Sequence, residues 1–141
     1  MAFLVHDLIA HSAQVSPTAP ALSYQDESLD YAALQAAVTA WAAGLQALGL
    51  NENQRVAIYL PKQISAVLAI FASMAAGGVA VPINPGLKAA QVRHILQDSG
   101  ATMLISHRTR ADLLADHFAA CPALEHLVLV DVTPEQAASI S

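Results

Sequence analysis

Residues 55–106 constrain the fold more than any other part of this chain, because strand, helix and turn signals follow one another there without a gap. Residues 56–60 form a short apolar run stopped by Pro61, the pattern of a strand buried on both faces. The next stretch, 64–76, carries Ile64, Val67, Leu68, Phe71 and Met74 at helical spacing, and Gly77-Gly78 stops it. Residues 79–81 read as a second strand, after which Pro82 and Pro85 force the chain outward. A helix over 89–97, ended by Gly100, leads to a third strand at 102–105. Strand, helix and strand in this order predict a βαβ unit with parallel strands and a right-handed crossover.

The flanks extend this alternation. Phe3, Leu4, Leu8 and Ile9 place an apolar face on a first helix that ends near Gln14, before Ser16-Pro17. Residues 21–24 and 28–29 read as a short hairpin. A long helix starts at Tyr31 with Asp30 as N-cap, an apolar side of Leu34, Val38, Trp41, Leu45 and Leu48, and Gly49 as its stop. A helix over 110–120 and a strand over 127–130 follow. The expected fold class is α/β: a mainly parallel sheet with flanking helices, plus a small β-hairpin lying apart, in a single unit over 1–141. Thr133-Pro134-Glu135-Gln136 carries the signals of a helix start, but only five residues follow it. The expectation is a chain truncated after Ser141 from a longer polypeptide, with a frayed natural terminus as the alternative.

Composition narrows the partners. With 55% hydrophobic and 12% charged residues, the chain suits a buried sheet covered on both faces. A net charge of -5 argues against a nucleic-acid partner, and the six cations (Arg55, Lys62, Lys88, Arg93, Arg108, Arg110) are expected to form no patch. The single cysteine, Cys121, cannot close an intrachain disulfide and reads as a small buried hydrophobe, not a nucleophile. Residues 64–83 carry no charge and are about long enough to cross a bilayer. Gly77-Gly78 and the change to strand pattern favour a buried helix followed by a buried strand, so no transmembrane segment is expected. Met1 to Asp7 lacks the basic and apolar regions of a secretory signal, and a cytoplasmic location is the expectation.

The search for chemistry in the residues finds no catalytic, cofactor-binding or metal site. Neither a Gly-x-Gly-x-x-Gly fingerprint nor a Gly-x-x-x-x-Gly-Lys-Ser/Thr loop is present. His6, His11, His94, His107, His117 and His126 are scattered, and none pairs with another at the one-turn spacing of helical metal ligands. Ser65, Ser73 and Ser106 lie outside any Gly-x-Ser-x-Gly elbow. Asp98-Ser99-Gly100 is accounted for as a polar last turn followed by a left-handed glycine.

Three stretches carry a resemblance: Arg55-Val56-Ala57-Ile58-Tyr59-Leu60-Pro61, then 74–85 (Met-Ala-Ala-Gly-Gly-Val-Ala-Val-Pro-Ile-Asn-Pro), then Ile95-Leu96-Gln97-Asp98-Ser99-Gly100-Ala101. In order and spacing they resemble the N-terminal region of the AMP-forming acyl-CoA ligases, of the adenylate-forming superfamily that includes luciferases and peptide synthetase adenylation domains. Leu29-Asp30-Tyr31-Ala32-Ala33-Leu34 resembles that family's Leu-Thr/Ser-Tyr-x-Glu-Leu motif, departing from it at Asp30 and Ala33. Lys88-Ala89 departs where Thr-Pro is common, which weakens a helix start. The opening residues 3–8, together with 59–62 and 87–92, look most like ligases from exosortase-linked exopolysaccharide gene neighbourhoods.

The resemblance implies a parent enzyme that joins a carboxylic acid to ATP, with Mg, and transfers the acyl group from the adenylate to coenzyme A. The family's phosphate loop, ribose-binding acid, Mg-binding glutamate, hinge and lysine all lie downstream of the matched region. None of them maps onto this chain, so the chain by itself is expected to be inactive. Two further readings stay open: a stand-alone α/β interaction or oligomerisation module, and a membrane-anchored protein using 64–83. Under the ligase reading, exposed apolar surface is expected to drive homodimerisation.

Overall fold

The computed structural model describes residues 6–131. A first helix, α1 (Asp7–Val15), is followed by the hairpin β1 (Pro20–Tyr24) and β2 (Glu27–Asp30) and by the long helix α2 (Tyr31–Ala47). Then come β3 (Arg55–Tyr59), α3 (Ile64–Ala75), β4 (Val79–Pro82), α4 (Ala89–Ser99) and β5 (Met103–Ser106). A short helix α5 (Arg108–Leu114), a 3-10 helix (Ala115–Ala120) and β6 (His126–Leu129) complete the described chain. The hairpin is a separate two-stranded sheet; the other four strands form one parallel sheet in the order β4-β3-β5-β6. The expected α/β class and the separate hairpin are observed. Phe3, Leu4 and the Thr133 helix start lie outside the described residues.

The two central strands explain the unbroken apolar runs. Val56 and Ile58 of β3, with Met103 and Ile105 of β5, pack against Ala42 and Leu45 of α2 and Ala69, Ala72 and Ala76 of α3 and its cap. On the opposite face Ala57, Tyr59 and Leu104 pack against Val92 and Leu96 of α4, Leu114 of α5, and Cys121. Successive strand residues serve opposite cores because strand side chains alternate between faces. A third cluster, with Ile9, Leu34, Val38 and Leu68 at its centre, joins α1, α2 and α3 to hairpin residues such as Leu22 and Leu29.

Helix ends follow the sequence signals. Asp30 Oδ1 accepts a hydrogen bond of 2.8 Å from the Ala33 backbone N–H, the expected N-cap. At the other end of α2, Leu50 N–H donates to Leu45 O and Gly49 N–H to Gln46 O, a Schellman motif in which Gly49 takes φ +101. The same motif ends α3: Gly78 N–H donates to Ser73 O, Gly77 N–H to Met74 O, and Gly77 takes φ +90. Gly78 has a second duty. A Cβ there would lie 3.1 Å from Gln54 O and Leu50 Cδ2 and 3.2 Å from Ser73 O, tight contacts that would push the helix end and the approach to β3 slightly apart.

Three expectations need correction. Leu48 does not join the apolar side of α2: it is 44% exposed, because the chain reverses at Gly49 and buries Leu50 instead. In α3 the fully buried face is not the large one. Ala69, Ala72 and Ser73 are at 0% exposure; of the large residues Leu68 is buried in the cluster with α1 and α2, while Ile64, Val67, Phe71 and Met74 are half-buried, since small side chains let the helix lie close on the sheet. The helix expected over 110–120 is α5 followed by tighter 3-10 turns, which bring Phe118 and Cys121 onto the core before Pro122 forbids continuation.

Two substitutions rank these devices. Asp30→Ala is expected to cost about 1 kcal/mol in urea-unfolding experiments through loss of the cap. Gly78→Val is expected to cost clearly more, because a side chain there crowds two backbone oxygens and Leu50 Cδ2; equal effects would refute the close-packing role.

Candidate functional site

Parallel strands send all their carboxyl ends to one edge of the sheet, and in open α/β sheets that edge, where strand order reverses, is where ligands bind. Here β3 is followed in sequence by its neighbour β4 on one side and then by β5 on the other, so the reversal falls between β3 and β5. Ser106, buried at the end of β5, donates from Oγ to Tyr59 O at 2.7 Å and ties the two strand ends together.

The loop 82–88 is clamped against this point. Ile83 is buried, and its N–H donates to Ile58 O. Asn84 Oδ1 accepts from Gly86 N–H at 2.8 Å, and Leu87 N–H donates to Asn84 O. Two side chains then hold the loop from outside it. Tyr59 Oη donates to Leu87 O at 2.6 Å, and Arg110 Nη1 donates to Pro85 O at 2.6 Å. The Arg110 guanidinium also lies 4.6 Å from the centre of the Tyr59 ring, a cation-π contact. Arg110 Nε is buried without a hydrogen-bond partner. Beside the clamp is a cleft of about 320 Å³ lined by Tyr59, Leu87, Lys88, Ala89, Leu113 and Leu114.

Lys88, at the N-cap of α4, lacks the hydroxyl expected of a strong helix start. Gln91 supplies the compensation, its Oε1 accepting from Lys88 N–H at 2.9 Å. Glutamine at the third helical position is the sequence signal of this contact, and it offsets the missing Thr-Pro at Lys88-Ala89.

The residues considered for chemistry are dispersed into structural work. Ser73 Oγ donates to Ala69 O within α3, and Ser106 serves the strand ends. His107 caps α5, its Nδ1 accepting from Arg110 N–H at 3.4 Å, while Arg93 Nη1 lies 3.3 Å from His117 Nδ1. His11 and His94 are exposed, and His126 lies in β6. Gly100 takes the left-handed conformation at φ +65, as expected after Asp98-Ser99. Among the described residues no group of three or more His, Cys, Asp or Glu could hold a metal ion. Cys121 is buried, and desolvation raises its thiol pKa, with Arg93 opposing. No helix of the described residues is long and apolar enough to cross a membrane, so 64–83 is helix α3 followed by strand β4.

Scattered in sequence, four of the six cations follow carboxyl ends of the parallel strands: Lys62 after β3, Lys88 after β4, and Arg108 and Arg110 after β5. Linear spacing hid this because topology, not sequence distance, brings loops after parallel strands to one edge.

A family model described as AMP-binding enzyme matches residues 9–140. Phosphinothricin tripeptide synthetase PhsC of Streptomyces viridochromogenes is 35% identical over 111 residues, which are 79% of this chain and 10% of that protein. The N-terminal domain of FACL13 from Mycobacterium tuberculosis shares the fold with a TM-score of 0.85 and 27% identity, over 99% of this chain and 37% of that one. An anthranilate CoA ligase, AuaEII, in complex with anthranoyl-AMP gives a TM-score of 0.85 at 24% identity, a likeness of fold, over 91% of this chain and 25% of that one. The chain therefore spans a minor part of the proteins it matches.

Tyr59→Phe removes the phenol that holds the Leu87 carbonyl. It is expected to cost about 1 kcal/mol and to speed amide exchange in 84–88, read by hydrogen-exchange mass spectrometry; unchanged exchange would show that the clamp does not hold the loop. Cys121 is expected to react with a thiol reagent far more slowly at neutral pH than in denaturant, because the buried thiol stays protonated to higher pH than a free one.

Proposed function

The chain belongs to the AMP-binding enzyme family, and from that premise we propose that it is the amino-terminal part of an ATP-dependent, AMP-forming acyl-CoA ligase. The parent enzyme joins a carboxylic acid to ATP, giving acyl-adenylate and pyrophosphate, and passes the acyl group to coenzyme A. The observation that carries this reading is the loop 82–88 locked at the reversal between β3 and β5. Tyr59, Ile83, Asn84 and Pro85 of this lock lie in the three stretches that carry the resemblance to the ligases; Gly86, Leu87 and Arg110 lie outside those three. The role of this part is to supply sheet and loop scaffold beside which the reacting groups are assembled.

The described residues do not by themselves fit ATP and Mg. The glycine-bearing loop after β4 has Gly86 N–H already committed to Asn84, and Asp131, at the same edge, accepts from Arg108 N–H. Backbone donors free to meet a phosphate are what such a site requires. The acid, the nucleotide and the thiol are therefore assigned to the parent and to residues beyond this chain.

A second reading is favoured by the 35% identity to a tripeptide synthetase: an adenylation domain whose acyl acceptor is a carrier thiol in place of free coenzyme A. One assay separates the two. The full gene product, incubated with ATP, Mg and panels of carboxylic and amino acids, is expected to release pyrophosphate with carboxylic acids and to form acyl-CoA when coenzyme A is added. The 141-residue chain alone is expected to release none. Adenylation of amino acids without thioester formation on free coenzyme A would favour the synthetase reading. A gene product no longer than this chain and inert toward every acid would leave a stand-alone interaction module.

A further inference from the structure

A strand at the edge of a sheet carries unpaired backbone groups, and proteins blunt such edges with charge, proline or a covering element. The two sheets of this chain end in β1, β2, β4 and β6, and the first three are blunted. In the hairpin, β1 opens with Pro20, and β2 carries Glu27 and Asp30. At β4, Val79 N–H donates to Gln54 O and Ile83 N–H to Ile58 O, so Ala80 and Pro82 are the strand residues that face outward. Pro82 has no N–H, which leaves Ala80 as the outward donor of that strand.

β6 has no such protection. His126 N–H donates to Thr102 O and Val130 N–H to Ser106 O, so Leu127 and Leu129 turn their N–H and C=O groups away from β5. Residues 127–130 (Leu-Val-Leu-Val) include neither charge nor proline. Leu127 packs toward the core on the α4 side, while Val128 and Val130 pack toward the core on the α2 and α3 side. Feeding both cores is the pattern of β3 and β5, yet β6 is half-buried throughout, and β5 is the one described strand paired with it. It is built like an interior strand and placed at an edge.

The strand is complementary to a second copy of itself. A closed two-fold dimer pairs the same strand antiparallel. Outward groups must meet outward groups, so Leu127 faces Leu129 of the second copy, and the two exchange N–H and C=O bonds in both directions. The two-fold repeats this exchange and sets Val128 against its own copy on the axis. A shift to either neighbouring register draws in Glu125 or Asp131 instead, and Glu125 N–H is already given to Thr102 O.

We propose that β6 is a self-association edge through which two copies of this chain join their four-stranded sheets into one continuous sheet. The pairing sets leucine beside leucine on one face and valine beside valine on the other, covering apolar surface that each copy leaves half exposed. Its cost lies at the ends, where Glu125 falls opposite Asp131 and like charges meet. A strand edge is smaller than the about 800 Å² per partner of a standard interface, so the dimer is weak and reversible. The inference needs no turnover and is independent of the acyl-CoA ligase reading.

The test is sedimentation equilibrium of the 141-residue chain at concentrations up to about 1 mM, with amide hydrogen exchange followed by NMR. Monomer and dimer are expected in equilibrium, with the Leu127 and Leu129 amides exchanging more slowly as concentration rises. Association is expected to tighten as salt screens the facing Glu125 and Asp131. Leu129→Pro, which removes an N–H that β5 does not use, is expected to weaken it about tenfold. Leu129→Lys keeps that N–H and is expected to weaken association by charging the edge. Val79→Lys, at the opposite edge, is expected to leave it unchanged. Val128→Cys is expected to give a disulfide-linked dimer on mild oxidation, because facing residues of a non-hydrogen-bonded pair stand about 4.5 Å apart at Cα. A chain that stays monomeric, a dimer lost in Val79→Lys and kept in both Leu129 variants, or no cross-link at position 128 would overturn the proposal. So would Leu127 and Leu129 amides protected in the monomer, since another segment of the chain would then cover the edge. A dimer that loosens as salt rises would point to charge pairing and overturn it as well.

Discussion

The rest of the structure depends on two parallel strands, β3 and β5, being buried on both faces at once. Every residue from Val56 to Leu60 and from Met103 to Ser106 is buried, so both strands need a helical layer on each side. α2 and α3 supply one layer; α4, α5 and the 3-10 turns supply the other. The strand order then follows: β4 and β6, which are less buried, take the edges. At the end of this central pair the buried hydroxyl of Ser106 meets the Tyr59 carbonyl, and the loop 82–88 is fastened to the same tyrosine by its phenol. A polar group buried there without a partner would cost about 1 to 3 kcal/mol, so the pairing holds the strand ends in one arrangement.

Much of this was legible in the sequence because the signals were local. An aspartate before a helix, a glycine after one, and an apolar run of five bounded by proline each report on a few neighbouring residues, and each is observed at Asp30, Gly49, Gly77 and 55–61. What could not be read depends on partners distant in sequence. Helix α3 is apolar almost all round, so its pattern could not say which face would lie closest to the sheet; the small face does, because Ala69, Ala72 and Ser73 allow the closest approach. The split at Leu114 was hidden because 110–120 has helical composition throughout, and the tighter turns answer to the core that Phe118 and Cys121 must reach. Arg110 reaches Pro85 across a separation of 25 residues, and no spacing rule anticipates such a contact.

The candidate site was less legible than the fold for the same reason. Lys62, Lys88 and Arg108 look isolated along the chain, yet all three follow carboxyl ends of strands in one parallel sheet. Charge patterning read linearly suits helices, where neighbours in space are three or four residues apart. In a parallel sheet the neighbours are a whole crossover apart, so the relevant pattern appears only once strand order is known.

The way the clamp is built also explains why likeness in this region identifies the family without choosing a substrate. Tyr59, Asn84 and Arg110 direct their hydrogen bonds to backbone groups, the carbonyls of Leu87 and Pro85 and the N–H of Gly86. Contacts of this kind fix the course of a loop and carry no information about an acyl chain or an acceptor thiol. A protein named as a tripeptide synthetase is similar to this chain in sequence, and one named as an anthranilate CoA ligase is similar to it in fold. The motif Pro82-Ile83-Asn84-Pro85 is informative about architecture for the reason that makes it uninformative about chemistry: its physical work is to leave the sheet, bury Ile83 and turn back toward α4.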